Sequence, residues 1–227
     1  MNLLVLGKGK TGALVADIAR ERGHGVACVS SKENVGCAAL SASALRGTDV
    51  VIDFTTPHAV LGNIEACARA GVNIAVGTTG WYGEIAAVQQ LVNRSNIGFV
   101  YAANFSVGVN LFFEIVRAAA DGLRLGYSGH ITEKHHVHKK DAPSGTAVAI
   151  RNVIQAAAGA KLDITSVREG EIVGTHILEL KSAGDTITLA HESHSRRGFA
   201  EGAVRAAEWL KDRKGFYDFK DVFRELS

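Results

Sequence analysis

Residues 3–18 read LLVLGKGKTGALVADI, and this stretch decides the fold. A short apolar run ends in a GxGxxG pattern, and a segment with helical spacing follows it. Gly7 permits a tight turn, Gly9 allows the backbone to approach a pyrophosphate, and Gly12 permits close contact between helix and strand. The free N–H groups at the start of the helix would then face the phosphates. The stretch therefore predicts the opening strand–turn–helix unit of a dinucleotide-binding domain.

The same alternation continues through the first hundred residues. Apolar runs typical of buried strands alternate with segments of helical spacing. Because these strands are apolar on both faces, they predict a parallel sheet that is covered by helices on both sides. The predicted strands lie at 2–7, 24–30, 49–55, 72–78 and 97–104, and the predicted helices at 11–23, 59–71 and 82–95.

The rhythm changes after about residue 105. Here the strands alternate between apolar and polar residues, which is typical of a sheet with one face more exposed, and the turn SAGD is typical of a hairpin. We therefore expect an α/β domain of residues 1–105 together with 198–227, and a smaller α+β domain of residues 106–197. The predicted elements beyond 105 are helices at 109–123, about 144–158 and 198–213, and strands at 128–137, 171–181 and 185–193.

The composition is that of an ordinary globular protein. Of 227 residues, 47% are hydrophobic and 21% are charged, and the formal net charge of +2 gives no reason to expect a nucleic-acid partner. No apolar run approaches the roughly 18 residues of a membrane span, and the N-terminal run is too short for an export signal. We expect a cytoplasmic protein. Three cysteines without a CxxC spacing argue against a disulfide framework or a structural zinc site.

Two further loops lie where predicted strands end, DFTTP at 53–57 and GTTGW at 77–81. Ligands of open parallel sheets bind beyond the carboxyl ends of the strands. The alternative is that the loop threonines only satisfy local backbone groups. The side chains that would line such a crevice are Thr55, Thr56, Thr78 and Thr79.

A second chemical cluster occupies residues 132–147, TEKHHVHKKDAPSGTA. We expect a strand that ends at about His138 and points successive side chains to opposite faces. On this prediction His136 and His138 share one face. His135 and Val137 share the other.

The helix that follows this strand predicts an anion site. Ser144 is placed to cap a helix whose first residues are Gly145 and Thr146. Gly145 has no side chain to cover the exposed N–H groups, and Lys139 and Lys140 stand beside them. Imidazoles supply protons near neutral pH. The segment therefore suits a carboxylate-bearing substrate that is protonated during the reaction.

Two other interpretations of the histidine–lysine segment compete with this one. His136 and His138 are spaced to bind a metal from one face of a strand, but the neighbouring lysines oppose a cation and no carboxylate pair completes the site. Alternatively, the run is a solvated basic surface, which is the usual state of a charge cluster. A dinucleotide site in the same chain makes the second interpretation less attractive.

The histidine–lysine segment and four other stretches resemble a known family. EKHHVHKKDAPSGTA, residues 133–147, is similar to the signature of the 4-hydroxy-tetrahydrodipicolinate reductases, also called dihydrodipicolinate reductases. The resemblance extends, in the family's order, to VIDFTTP, VGTTGW, AANFSVGVN (102–110) and SHSRRGFAEGAVRAAEWL (193–210). It therefore covers essentially the whole chain.

The resemblance implies both a fold and an activity. The fold is a Rossmann-like parallel-sheet domain with a second α+β domain, whose open mixed sheet binds substrate and builds a homotetramer. The activity is that of an oxidoreductase of lysine and diaminopimelate biosynthesis, which reduces 4-hydroxy-tetrahydrodipicolinate to tetrahydrodipicolinate with NADPH or NADH, without a metal. Closure about the junctions near 105 and 197 is expected. A non-catalytic nucleotide-sensing module and a metal-dependent hydrolase using the histidines are the alternatives.

The resemblance also assigns roles to residues of this chain. His135 is the candidate acid/base, and Lys139 is its partner proton donor. Arg196 would lie near the domain junction. The residues that would hold the substrate are His136, Lys139, Ser144, Gly145, Thr146 and Thr79. Those that would contact the cofactor are Gly7, Lys8, Gly9, Lys10, Thr11, Gly12, Phe54, Thr55, Gly77, Thr78, Thr79, Ala102, Ala103, Asn104, Phe105 and Arg196.

The end of the second strand bears on the choice of cofactor. An NAD site usually has an acid there, about 20 residues past the glycines, to bind the ribose 2′-hydroxyl. This chain has Ser30, Ser31 and Lys32 instead, with Glu33 expected to lie too far into the loop. Two hydroxyls and an ammonium suit a 2′-phosphate, and Lys10 adds charge. We expect use of both cofactors with a modest preference for NADPH.

Overall fold

The computed structural model describes residues 1–226, which divide into two compact units. The first unit contains residues 1–107 and the chain from Arg197 onwards, and the second contains residues 108–196. In the described chain, no helix combines the length and the apolar character that crossing a membrane requires.

The first unit is built on a six-stranded sheet in which every pair is parallel. In chain order its strands are β1 (Asn2–Leu6), β2 (Gly25–Val29), β3 (Val50–Asp53), β4 (Asn73–Val76), β5 (Gly98–Tyr101) and β10 (Gly215–Asp218). They lie side by side in the order β10-β5-β4-β3-β1-β2. β1 has β2 on one side and β3 on the other, so the strand order reverses its direction at β1. Sheets of this kind bind nucleotides at such a reversal, beyond the carboxyl ends of the strands.

Helices cover both faces of this sheet, as the doubly apolar strands predicted. The helices are α1 (Lys10–Glu21), α2 (Pro57–Ala70), α3 (Ile85–Ser95), α7 (Arg197–Leu210) and α8 (Phe219–Val222). One core packs α1, α7 and α8 on one face, and a second core packs α2 and α3 on the other. All residues of β3 and β4 are buried. β10 is not predicted by the sequence pattern, because GFYD is a four-residue strand without alternation of apolar and polar residues.

The second unit carries a four-stranded mixed sheet. Its strands are β6 (Ser128–His135), β7 (Ile164–Arg168), β8 (Gly174–Lys181) and β9 (Thr186–Ser193), in the order β7-β6-β8-β9. β6 pairs with β7 in parallel and with β8 antiparallel, and β8 and β9 form the expected hairpin. The helices are α4 (Val107–Ala119), α5 (Asp121–Arg124) and α6 (Gly145–Ala158).

One face of this mixed sheet is buried and the other is open. From Ile131 onwards in β6, and along β8, every second residue is buried, and the apolar ones pack with α4 and α6 around Ile131, Ile150 and Leu178. The buried face also contains polar residues, Glu133, His135 and His176. The alternation confirms that one face is more exposed, and it places titratable groups on the face beneath α6.

The expected continuation of β6 to about His138 was wrong. The strand ends at His135, and the next residues turn away from the sheet. The amide of His136 donates to the carbonyl of Ile172 at 2.7 Å, and that of Val137 donates to Gly170 at 3.2 Å. Since these bonds lead the chain into a turn, the predicted alternation of residues 135–138 between two faces does not occur.

Candidate active site

The glycine loop after β1 has the geometry that its sequence predicted. Gly7 has a φ of +100°, and a Cβ there would overlap the carbonyl oxygen of Phe54. A Cβ on Gly12 would overlap the carbonyl oxygen of Gly7, whereas the space beside Gly9 is open. Gly9 also forms the N-cap of α1 without a capping side chain. The exposed N–H groups of α1 and the open backbone at Gly9 suit the pyrophosphate of a dinucleotide.

The loops after β3 and β4 are held together by Asp53, to which the sequence pattern assigned no role. Its buried carboxylate accepts hydrogen bonds from the Thr55 amide (2.9 Å), the Thr55 hydroxyl (2.7 Å) and the Thr78 hydroxyl (2.7 Å). The Asn63 amide donates to its other oxygen at 2.8 Å. Two of the predicted crevice threonines therefore serve the loops themselves, and the other two, Thr56 and Thr79, are exposed.

The remaining predicted cofactor residues of the first unit lie at the same edge of its sheet, whereas Arg196 belongs to the second unit. The Phe54 ring lies where a Cβ on Gly77 would stand, and its centroid is 6.3 Å from that of Phe105. Ala102 and Phe105 are buried after β5, and the Asn104 side chain accepts from the Ser106 amide at 2.8 Å. Lys10, Thr11 and Ala103 lie in or beside these loops, and Arg196 is the exposed last residue of the second unit.

At the end of β2 the expectation for Glu33 was wrong. Its carboxylate folds back onto the strand end, where it accepts from the Ser30 amide at 2.7 Å and the Ser30 hydroxyl at 2.6 Å. Lys8 pairs with it at 2.9 Å. The hydrogen bond from Lys8, followed by those from Ser30, lowers the pKa of Glu33 to about 2. An ionised carboxylate therefore stands beside the exposed Ser31 and Lys32.

In the second unit, β6 brings a carboxylate and an imidazole together. Glu133 and His135 are two residues apart on the buried face, and the His135 Nδ1 is hydrogen-bonded to Glu133. Arg168 on β7 donates to the other carboxylate oxygen at 2.8 Å, and the Ser144 amide donates to it at 3.3 Å. Burial raises the pKa of Glu133, but hydrogen bonds from Arg168, Ser166 and His135 outweigh it, and the net pKa is lowered.

The ionised Glu133 fixes how His135 uses its two nitrogens. A carboxylate only accepts hydrogen bonds, so His135 Nδ1 carries the proton. Burial lowers the pKa of His135 against the opposing effect of Glu133, so the ring is neutral at neutral pH. Its Nε2 is then an acceptor and faces Gly174, where a Cβ would stand only 3.0 Å from it.

Lys139 stands in the loop that leaves this strand. Its Nζ lies 2.8 Å from Asp141 Oδ1, and this hydrogen bond is the main cause of the lowered pKa of Asp141. Arg168 donates to the Asp141 carbonyl at 2.6 Å, so one guanidinium connects the buried Glu133 with the loop that carries Lys139. The predicted substrate residue His136 is half-buried, and its Nδ1 has no partner among residues 1–226.

The start of α6 completes the cluster. Ser144 caps the helix, since its hydroxyl oxygen accepts from the Ala147 amide at 3.2 Å. No atom lies near the position of a Cβ on Gly145, and Thr146 is half-buried beside it. His176 on β8 lies 3.1 Å from the Ser144 hydroxyl. Sequence reasoning missed His176, although it stands at a buried position of an alternating strand.

No metal site emerges from these side chains. Within residues 1–226, no three histidine, cysteine or acidic side chains are grouped so that they could hold an ion. The rings of His136 and His138, the pair considered for a metal, have centroids 6.2 Å apart.

We expect the second unit to lose stability as the pH falls from about 6.5 to 4. Burial, with a smaller effect of His135, lowers the pKa of His176 from 6.5 to about 4, and the pKa of His135 is also lowered. The unfolded chain then binds more protons than the folded one in this range, so the free energy of unfolding decreases as the pH decreases. At about 1.4 kcal/mol per pKa unit, His176 alone contributes on the order of 3 kcal/mol.

Hydrogen exchange of the β6 and α6 amides across this pH range measures the effect. The variant His176→Gln cannot titrate and should flatten the dependence. An unchanged slope in His176→Gln would contradict the assignment.

Comparison with known proteins gives the chain a family context. The family model described as "Dihydrodipicolinate reductase, N-terminus" matches residues 1–105, and "Dihydrodipicolinate reductase, C-terminus" matches residues 108–223. A 4-hydroxy-tetrahydrodipicolinate reductase of Christiangramia forsetii is 36% identical over 100% of this chain and 99% of its own. That of Chromobacterium violaceum is 42% identical over 79% of this chain and 75% of its own.

The fold has a close counterpart among solved structures. The dipicolinate-bound dihydrodipicolinate reductase from Paenisporosarcina sp. TG-14 superposes with a TM-score of 0.82. It shares 22% sequence identity, and the match covers 98% of this chain and 99% of that one. This likeness supports the pairing of a Rossmann-like parallel sheet with a second, mixed-sheet domain.

Proposed function

This chain belongs to the dihydrodipicolinate reductase family, and from that premise we propose how its residues carry out the family's reaction. It is an oxidoreductase of lysine and diaminopimelate biosynthesis that reduces 4-hydroxy-tetrahydrodipicolinate with a nicotinamide nucleotide. The observation that carries this conclusion is that both family models match, one after the other, over almost the whole chain. The alternatives of a binding module and a metal-dependent hydrolase have no support.

The first unit has the features that a dinucleotide needs. The open backbone at Gly9 and the uncapped start of α1 would hold the pyrophosphate. The loops tied together by Asp53 would line the crevice beyond β3 and β4, where Thr79 is exposed. When bound, a reduced nicotinamide supplies the hydride. The chain's part here is to hold and orient it.

The second unit would bind and protonate the substrate. The free amides at the start of α6, with Ser144 and Thr146, would hold a carboxylate, and His136 and Lys139 stand on the same segment. The Lys139 ammonium would donate a proton to the group on which negative charge develops as hydride arrives. Because neutral His135 offers an acceptor at Nε2, we assign it to orient and accept protons, and we assign proton donation to Lys139.

The activity assay is direct. Enzymatically generated 4-hydroxy-tetrahydrodipicolinate and NADPH are mixed with the purified protein, and the loss of nicotinamide absorbance is followed with and without a chelator. We expect turnover that the chelator leaves unchanged. Nucleotide binding without turnover would favour the binding module, and loss of activity with the chelator would favour a metal enzyme.

We propose that the enzyme uses both cofactors with a modest preference for NADPH. Lys10 and Lys32 are exposed at the edge where a 2′-phosphate would lie, whereas Glu33, though ionised, is engaged by Lys8 and Ser30. A single exposed ammonium–phosphate contact is worth about 1 kcal/mol or less and is screened by salt.

Lys32→Glu should therefore shift the kcat/KM ratio toward NADH, and the wild-type preference should shrink as salt rises. Lys161→Glu, an exposed lysine of the second unit, makes the same charge change and should leave the ratio unaltered. A wild-type preference for NADH that Lys32→Glu does not change would show that the end of β2 does not select the cofactor.

We also propose that the protein works in the cytoplasm, with its three cysteines as free thiols.

We further propose that the protein forms a homotetramer through the open face of its mixed sheet. Thr132, Ile177 and Ala190 are neighbours on that face, giving it an apolar centre. Ile177→Lys should break the tetramer into smaller species in sedimentation velocity. The control is Val35→Lys, which changes an exposed apolar residue of the first unit and should leave the mass unchanged. A wild-type monomer would contradict the proposal.

A further inference from the structure

Ser144 and His176 form a buried hydrogen-bonded pair under the start of α6. Ser144 is 2% exposed and His176 is 4% exposed. The hydroxyl oxygen of Ser144 accepts from the Ala147 amide at 3.2 Å and lies 3.1 Å from His176 Nε2. A serine hydroxyl has one hydrogen to donate and two lone pairs to accept with. The direction of the bond to His176 therefore decides what the hydroxyl offers to a ligand.

The surroundings of His176 determine which of the two groups donates in this hydrogen bond. Its Nδ1 is buried and has no partner among residues 1–226. Since burial lowers the pKa of His176 to about 4, the ring is neutral and carries one proton. A buried N–H without a partner is rarer in proteins than an unpaired acceptor. The proton is therefore on Nε2, and the imidazole donates to the Ser144 oxygen.

This direction leaves the serine hydrogen free. With both lone pairs used by Ala147 and His176, the Ser144 O–H hydrogen is left to donate to a further acceptor. No group within residues 1–226 accepts it, and the neighbouring space at Gly145 is open. In the opposite tautomer the Ser144 O–H would donate to His176 Nε2. The hydroxyl would then have only a lone pair to offer, which repels a carboxylate.

We propose that His176 is a positioning residue that makes the Ser144 hydroxyl a hydrogen-bond donor to the substrate's carboxylate. This inference rests on the proposed carboxylate site at the start of α6. His176 touches neither substrate nor cofactor in this role. It acts only by fixing the orientation of Ser144, so its effect falls on binding more than on the chemical step.

The first experiment observes the tautomer directly in the unmodified protein. The 15N chemical shifts of His176, assigned by comparison with His176→Gln, should show a protonated Nε2 and an unprotonated Nδ1 at neutral pH. A protonated Nδ1 would overturn the proposal. This result does not depend on turnover, so it separates a failure of this inference from a failure of the proposed function.

The second experiment measures binding of pyridine-2,6-dicarboxylate to the full-length protein with nicotinamide nucleotide present. His176→Phe should weaken binding and raise the substrate KM about tenfold, with kcat changed less than about threefold. His176→Gln keeps an N–H donor and should restore most of the affinity. Binding by His176→Phe at the wild-type level would contradict the proposal.

A double-mutant cycle tests whether the two residues act as one. Ser144→Ala should weaken pyridine-2,6-dicarboxylate binding as much as His176→Phe does, and the double variant should lose no more than either single variant. Circular dichroism verifies that α6 survives the loss of its cap. Losses that multiply in the double variant would show that His176 acts independently of Ser144.

Discussion

Lys139→Ala is expected to lower kcat at least about 100-fold while the fold stays intact. The ammonium stands in the loop between β6 and α6, paired with Asp141 at 2.8 Å and thus held near the start of the helix. General acid help from a positioned group contributes roughly 10²–10⁴ in rate, and an ammonium beside developing negative charge adds electrostatic stabilisation. Removing Lys139 removes both effects at once.

The matched control for this variant is Lys140→Ala, which removes an exposed ammonium one residue further along and should leave kcat within about threefold of the wild type. His135→Ala should also be slow, but its loss should not multiply with that of Lys139→Ala, because the two residues act on one step. Steady-state kinetics of the three variants and the double variant measure these effects. Near-normal turnover of Lys139→Ala would remove it from the mechanism.

Arg168→Met is expected to destabilise the second unit by about 3–5 kcal/mol. The guanidinium donates to Glu133, which is fully buried, and to the Asp141 carbonyl. Breaking a buried ion pair by removing one partner costs about 3–5 kcal/mol, because the remaining charge is left uncompensated. Replacing both partners should cost less free energy of unfolding than the sum of the two single replacements. Glu133→Gln/Arg168→Met should therefore be more stable than the two single variants predict.

Hydrogen exchange of the β6 and α6 amides is the suitable measurement, because both tryptophans, Trp81 and Trp209, belong to the first unit. Tryptophan fluorescence therefore serves as the control that the first unit is intact. A second control is Arg151→Met, on α6, whose arginine forms no ion pair in residues 1–226. A loss below about 1 kcal/mol in Arg168→Met would contradict the buried-pair account.

The parts of the fold that local pattern determines could be predicted from the sequence. The glycine loop follows from three glycines at fixed spacing, and the Ser144 cap follows from the residues around it, since both depend on backbone geometry within a few residues. The doubly apolar strands likewise predicted a sheet covered on both sides. These features need no knowledge of distant contacts.

The rest depends on which strands become neighbours. Glu133, Arg168 and His176 come from three different strands, and only the order β7-β6-β8 brings them under one helix. No nearby residue indicates that Arg168 is the partner of Glu133. β7 pairs with β6 in parallel, and the whole of α6 lies between the two strands in the sequence. The end of β6 was misjudged for the same reason: the carbonyls of Gly170 and Ile172 that turn the chain lie more than 30 residues further along.

The discontinuity of the first unit has a consequence for synthesis on the ribosome. Its sheet lacks the strand β10, and one face of the sheet lacks the helix α7, until the chain beyond Arg197 has emerged. Residues 108–196, in contrast, emerge as one continuous piece. At roughly 5 to 20 residues per second, the interval between residues 107 and 210 lasts on the order of ten seconds. During it the apolar face that awaits α7 stays open, and the Asn73 amide lacks the carbonyls of Leu210 and Lys211. We therefore expect the nascent first unit to expose the kind of apolar surface that chaperones bind, while residues 108–196, which emerge as one piece, can fold before it is complete.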